Sequence, residues 1–167
     1  MGLEEHRQSA PTSIKVMIVT VSDTRTPETD TSGQLIRELL RSAGHEITGY
    51  EIVKDEPALL RRVVERGVAS PNVQVMLFNG GTGIAKRDTT FETLDALLEK
   101  RLPGFGDLFR QLSYAEIGAA AMLSRAAAGV VGGTIIVSTP GSRNAVRLAM
   151  EKLILPELGH LVGEVNK

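Results

Sequence analysis

A three-layer α/β/α sandwich, with a mostly parallel sheet and one late antiparallel hairpin, is the fold this sequence predicts. Three observations point to it. Apolar, β-branched runs alternate with stretches of helical spacing through residues 14–100, in the order strand-helix-strand-helix-strand-helix. Two further apolar runs meet at Gly132-Gly133, a dipeptide suited to a tight hairpin. Polar loops follow the strands, and in open α/β sheets ligands bind beyond the strands' carboxyl ends.

The elements follow in order. Residues 14–21 are rich in Ile and Val and read as a buried strand. The polar loop Ser22-Asp23-Thr24-Arg25-Thr26-Pro27 ends at Asp30-Thr31-Ser32-Gly33, which offers helix caps. Leu35, Ile36, Leu39, Leu40 and Ala43 then recur at helical spacing, and Gly44 stops the helix. Residues 47–53 form a weaker strand. Asp55-Glu56-Pro57 starts a second helix, with Asp55 as its cap and Leu59, Leu60, Val63 and Val64 as its apolar face. Residues 73–78 are the third strand and residues 90–100 the third helix. Pro103-Gly104-Phe105-Gly106 reads as a break, followed by short helices over residues 108–112 and 117–122. The hairpin strands cover residues 126–131 and 134–138. Ser142 caps a last helix, and Pro156 begins a separate terminal turn.

The chain has 167 residues, enough for one domain with a substantial core. Residues 14–167 are read as that domain. Residues 1–13, MGLEEHRQSAPTS, are polar, lack a signal-peptide apolar region and read as a flexible arm. A net charge of −1 argues against a nucleic-acid or anionic-membrane partner. Aromatic residues make up only 4%, too few for a base-stacking platform. There is no cysteine, so disulfides and thiolate metal sites are excluded, which suits a cytoplasmic protein. No apolar run approaches membrane-spanning length.

The chemistry concentrates in LFNGGTGIAKRDTTFETL. A strand runs into Asn79-Gly80-Gly81-Thr82-Gly83, where glycines bring backbone amides close to a ligand. Lys86 and Arg87 favour an anion. Asp88 beside them fits a metal ion between carboxylate and phosphate, which points to Mg²⁺. The segment is neither GxxxxGK[ST] nor GxGxxG. Asp88 can also cap the following helix, and Asp55 can serve as a cap alone. Asp23 suits a turn, Ser142 a cap, and Arg125, after Ser124, either a surface ion pair or a phosphate ligand. His6, His45 and His160 show no ligand spacing, and no Ser-His-Asp arrangement is visible. Topology alone places four loops on one rim: residues 22–24, 55–56, 79–88 and 139–142.

Taken in order, VSDTRTPETDTSG, NGGTG with RD-T, PGFGDLFRQLSYAEIG, SRAAAG and PGS resemble the MoaB/MogA family of molybdenum-cofactor biosynthesis, closest to its MoaB branch. The resemblance implies a mostly parallel three-layer sandwich. It also implies Mg²⁺-dependent transfer of AMP from ATP to the molybdopterin phosphate, with release of pyrophosphate. Asp55 and Asp88 match the family's two catalytic, metal-holding aspartates. Ser22, Asp23, Gly80, Gly81, Thr82, Gly83, Pro140, Gly141 and Ser142 match its substrate-binding segments, to which Asn79, Ser124 and Arg125 adjoin. The family self-associates as trimers or hexamers. Three departures stand out: Asn79 where Thr is usual, Phe91 where Pro is usual, and Thr139 where Leu is usual. Two other readings stay open. One is a non-catalytic pterin- or nucleotide-binding protein (ATP or GTP) of the same pathway. The other is an unrelated phosphate-ligand transferase.

Overall fold

A computed structural model describes residues 2–167. Six strands form one sheet in the order β2-β1-β3-β6-β5-β4. The strands are β1 (Lys15–Val21), β2 (Glu46–Val53), β3 (Val75–Asn79), β4 (Lys100–Arg101), β5 (Ala127–Val131) and β6 (Thr134–Thr139). β2, β1, β3 and β6 run parallel, while β5 and β4 form an antiparallel edge. Gly132 and Gly133 join β5 to β6 with positive φ at both positions, as a primed hairpin turn requires. The sandwich with one late hairpin is therefore the observed architecture.

Strand periodicity divides the core. Val16 and Ile18 of β1, Val75 and Leu77 of β3, and Ile135 and Val137 of β6 face one layer. That layer holds α2 (Thr31–Ser42), α5 (Pro103–Ile117), α6 (Arg143–Ala149) and α7 (Leu155–Val165). Met17, Val19, Val21, Met76, Phe78 and Ile136 face the other, where α3 (Pro57–Ala69) and α4 (Thr90–Leu97) pack. β2 is an edge strand and only half-buried, which accounts for its weaker apolar pattern. Among the described residues no helix is long and apolar enough to cross a membrane.

Several boundaries differ from expectation. The helix expected over residues 90–100 ends at Leu97, and Lys100–Arg101 pairs with β5 as a two-residue strand. The expected break at residues 103–106 is instead the start of α5. Pro103 occupies the first turn, where its missing N–H costs nothing. A Cβ on Gly106 would stand 2.7 Å from the Ala126 carbonyl oxygen, so this glycine lets the helix approach the strand layer. One helix therefore replaces the expected break and first short helix. Gly118, at φ +66°, then turns the chain into a 3₁₀ segment, Gly118–Leu123. Pro156 lies in the first turn of α7, which follows α6 through a π-helical segment over Met150–Ile154 and is much longer than a terminal turn. In the stretch expected as an arm, Leu3–Gln8 forms a helix, α1. After it, Pro11 lies against α7, where a Cβ on Gly159 would stand 2.4 Å from the Pro11 carbonyl oxygen.

At the sheet's centre, Asn79 is fully buried and gives its Nδ2 to Thr20 Oγ1 at 3.0 Å, while its Oδ1 has no partner. Thr20→Val keeps the shape and leaves this amide wholly unpaired. It is expected to lower unfolding free energy by about 1–3 kcal/mol, measured by urea titration.

Candidate active site

The four parallel strands end on one rim, and the loops that leave them touch. The Asp55 amide donates to Asp23 Oδ1 at 3.2 Å, tying the loop after β2 to that after β1. A Cβ on Gly80 would fall 2.3 Å from the Val21 carbonyl oxygen, and one on Gly141 would fall 3.0 Å from the Gly80 Cα. Gly80 and Gly81 have φ of +103° and +69°, a conformation L side chains seldom adopt. The loops of residues 22–24, 55–56, 79–88 and 139–142 therefore do meet, as topology predicts.

The glycine loop is oriented through its carbonyls. Gly81 accepts from the Thr90 amide at 3.1 Å, and Thr82 from Arg125 Nε at 2.9 Å. The Gly83 carbonyl accepts from Arg125 Nη2. In a trans peptide the following N–H points opposite to its C=O, so each anchor aims the next amide away from itself. Among the described residues the amides of Gly81, Thr82 and Gly83 donate to no protein acceptor. These three residues line a cleft of about 370 Å³ with Ser22, Arg25, Ser124, Pro140 and Gly141. Unpaired amides at a concave wall suit an anion.

Arg125 forms the surface ion pair that is one of its two expected roles, and it also supports the glycine loop. Its guanidinium holds two loop carbonyls, pairs with Glu92 and lies 4.9 Å over the Phe91 ring. The hydrogen bond from Arg125 is the main cause that holds the Glu92 carboxyl below its ordinary range. Phe91, one of the family departures, is thus part of the loop's support.

The two aspartates are held differently. Asp55 is buried but does not cap its own helix, whose N-cap is Glu56. Its Oδ1 instead accepts from Thr89 Oγ1 at 2.7 Å, Thr90 Oγ1 at 3.0 Å and the Thr89 amide at 3.2 Å, so it caps α4 from a distance. Its Oδ2 receives only that Thr89 amide, at 3.2 Å, and would lie 2.6 Å from a Cβ on Gly81. Asp88 makes no side-chain hydrogen bond among the described residues, and α4 begins after Thr89 without a side-chain cap. Asp88 Oδ2 would lie 2.6 Å from a Cβ on Gly83. Asp88 also lines a second cleft, of about 650 Å³, with Arg61, Lys86, Thr89 and Glu92. Its carboxylate thus lines the second cleft and sits beside Gly83, which lines the first. A free carboxylate at Asp88 and a free lone pair on Asp55 Oδ2 fit the one or two carboxylates that Mg²⁺ takes from a protein.

The remaining candidates divide. Ser22 Oγ accepts from the amides of Thr24 and Arg25 at 3.2 and 3.0 Å, shaping its own loop. Asp23 pairs with the exposed Arg87. Ser142 caps α6 by accepting from the Ala145 amide at 3.2 Å. Asn79 reaches the rim only through its backbone. Sequence reasoning missed Arg25, which lines the glycine cleft and reaches the Gly141 carbonyl oxygen at 3.3 Å and Asp30 at 3.5 Å. Asp30 is fully buried, caps α2 through the Gly33 amide at 3.0 Å and accepts from the Tyr50 hydroxyl at 2.5 Å. Burial first, and then this bond, push the Tyr50 hydroxyl far above its ordinary range. The position of Arg25 in the loop after β1 was the available signal.

Comparison with known proteins agrees with this geometry. Residues 17–160 match the family described as "Probable molybdopterin binding domain". Molybdenum cofactor biosynthesis protein B of Bacillus cereus is 55% identical over 168 residues, covering 100% of this chain and 99% of that protein. A crystal structure of a molybdenum cofactor biosynthesis protein B superposes with a TM-score of 0.91 at 56% identity, covering 95% of this chain and 99% of the other. The tungsten cofactor synthesizing protein MoaB from Pyrococcus furiosus gives 0.85 at 36% identity, over 95% and 100% of the two chains. With its sheet order, its glycine loop and this extent of likeness, the chain belongs to the MoaB/MogA family.

Proposed function

We propose that this protein acts in molybdenum cofactor biosynthesis by transferring AMP from ATP to the terminal phosphate of molybdopterin. An oxygen of the pterin phosphate would bond to the α-phosphorus of ATP as the bond to pyrophosphate breaks. That phosphate is ionised at neutral pH, so the step needs no strong general base. The absence of histidine from both clefts is consistent with this. The observation that carries the reading is Asp88, an unpartnered carboxylate between an amide-walled cleft and a second, cation-bearing one.

Two polyanions must be held close and in line. The free amides of Gly81, Thr82 and Gly83 would take a phosphate in the first cleft. Lys86 and Arg61, which form no ion pair among the described residues, would offset charge in the second. Asp88 and Asp55 Oδ2 would hold Mg²⁺, which when bound supplies charge neutralisation at the triphosphate. Self-association as a trimer or hexamer is part of this proposal. Leu108, Tyr114, Ile117, Met122 and Leu123 support it, being exposed apolar-bodied side chains on α5 and the turn after it. The cytoplasm, where ATP is held, is the compartment this reading requires.

The test is to incubate protein, molybdopterin, Mg²⁺ and ATP and to measure adenylylated pterin and pyrophosphate. Pterin binding without pyrophosphate release would leave a carrier of the same pathway. Indifference to molybdopterin would leave an unrelated transferase.

Asp88→Asn is expected to lower turnover about a hundredfold or more without moving the urea midpoint, because no hydrogen bond is lost. Asp55→Ala should lose turnover and also about 1–3 kcal/mol of stability, since it removes the oxygen that accepts from Thr89 and Thr90. Parent-rate pyrophosphate release by Asp88→Asn would overturn its assignment. Arg125→Lys frees at least one loop carbonyl, because an ammonium lacks the fork that reaches both. The pterin or nucleotide Kd should rise about tenfold, the cost of roughly one charge-assisted hydrogen bond, as read by calorimetry.

A further inference from the structure

A cluster of imidazole and carboxylate groups lies where α1 crosses α7 and shares no residue with either rim cleft. His6 Nδ1 is 2.8 Å from Glu164 Oε1, and His160 Nε2 is 3.5 Å from the same oxygen. The three ligand atoms all lie within 4.8 Å of one another. Tetrahedral Zn²⁺ with bonds of about 2.0–2.1 Å sets neighbouring ligand atoms roughly 3.3 Å apart. The measured spacings bracket that value, and small rotations of partly exposed side chains close the rest.

Lys167 Nζ is 2.7 Å from His6 Nδ1 and 2.5 Å from Glu164 Oε1. An ammonium only donates, so in the tautomer in which His6 Nδ1 accepts from it, both atoms offer lone pairs to one cation position. His160 Nδ1 is 2.8 Å from Glu157 Oε2, which can only accept its proton and so leaves Nε2 with the lone pair. Glu157 is held in turn by Arg7. A carboxylate behind a ligating imidazole is the outer support that metal-binding histidines use. The arm that brings His6 here is seated by the close approach of Pro11 to Gly159.

We propose that His6, His160 and Glu164 form a site for a divalent transition ion that staples α1 to α7. Two imidazoles and one carboxylate favour Zn²⁺, Co²⁺ or Ni²⁺ over Mg²⁺. Water completes the coordination, and Lys167 is the competitor that the ion displaces. The role is structural and independent of the rim chemistry.

The test titrates Zn²⁺ alone into chelator-stripped full-length protein by calorimetry. One ion per chain is expected at this site. His6→Ala and Glu164→Gln should each weaken binding at least about tenfold, and Glu157→Gln about tenfold. Lys167→Ala should tighten it several-fold, a gain that a misfolded variant cannot imitate. The Co²⁺-loaded parent should show the intense visible bands of four-coordinate cobalt, absent in His160→Ala. Equal Zn²⁺ affinity in parent and His6→Ala, no binding by the parent, or weaker binding by Lys167→Ala would each overturn the proposal.

Discussion

The site depends on where three carbonyl oxygens point. Gly81, Thr82 and Gly83 each give up their C=O to an anchor, first the start of α4 and then the fork of Arg125. A planar peptide cannot turn its carbonyl one way without turning the next amide the other. The anchors on Gly81 and Thr82 therefore orient the amides of Thr82 and Gly83, although they supply none of the donors. The same constraint explains why glycine is needed. A Cβ on Gly81 would stand 2.0 Å from Thr90 Oγ1, inside the joint between loop and helix. Asp55 closes that joint from the far side, so loop, helix start and the end of β2 hold one another.

The two aspartates look equivalent in the sequence and are not equivalent in the structure. Asp55 is occupied on one oxygen by three donors and is needed to fix α4. Among the described residues, Asp88 is held by nothing but its backbone. A buried, well-bonded carboxylate stabilises the architecture, whereas an unpartnered one retains its capacity to bind a cation. Work at the rim is thus divided between a group that holds position and a group left open.

Much of this was legible from residue order. β-branched runs marked the parallel strands, Gly132-Gly133 marked the hairpin, and Asp30 and Ser142 were caps as their spacing implied. Convergence of the loops followed from topology. What was hidden depended on tertiary contact. The start of α5 looked broken because the close approach that makes Gly106 useful lies against Ala126. Asp55 looked like a local cap, but its partners are 34 and 35 residues away. The loop carbonyls that Arg125 holds were hidden too, because they leave no trace in side-chain chemistry. The strand Lys100–Arg101 is too short to carry a periodic signal.

The place of β6 has a consequence for biogenesis. It lies between β3 and β5, although it is the last strand in the chain. Until it inserts, Gly80 lacks its amide's partner at Thr139, and Gly141 is not beside it. A nascent chain still tethered to the ribosome, or a product truncated before this strand, has no assembled mouth. Assembly of the mouth is thereby deferred until synthesis is nearly complete.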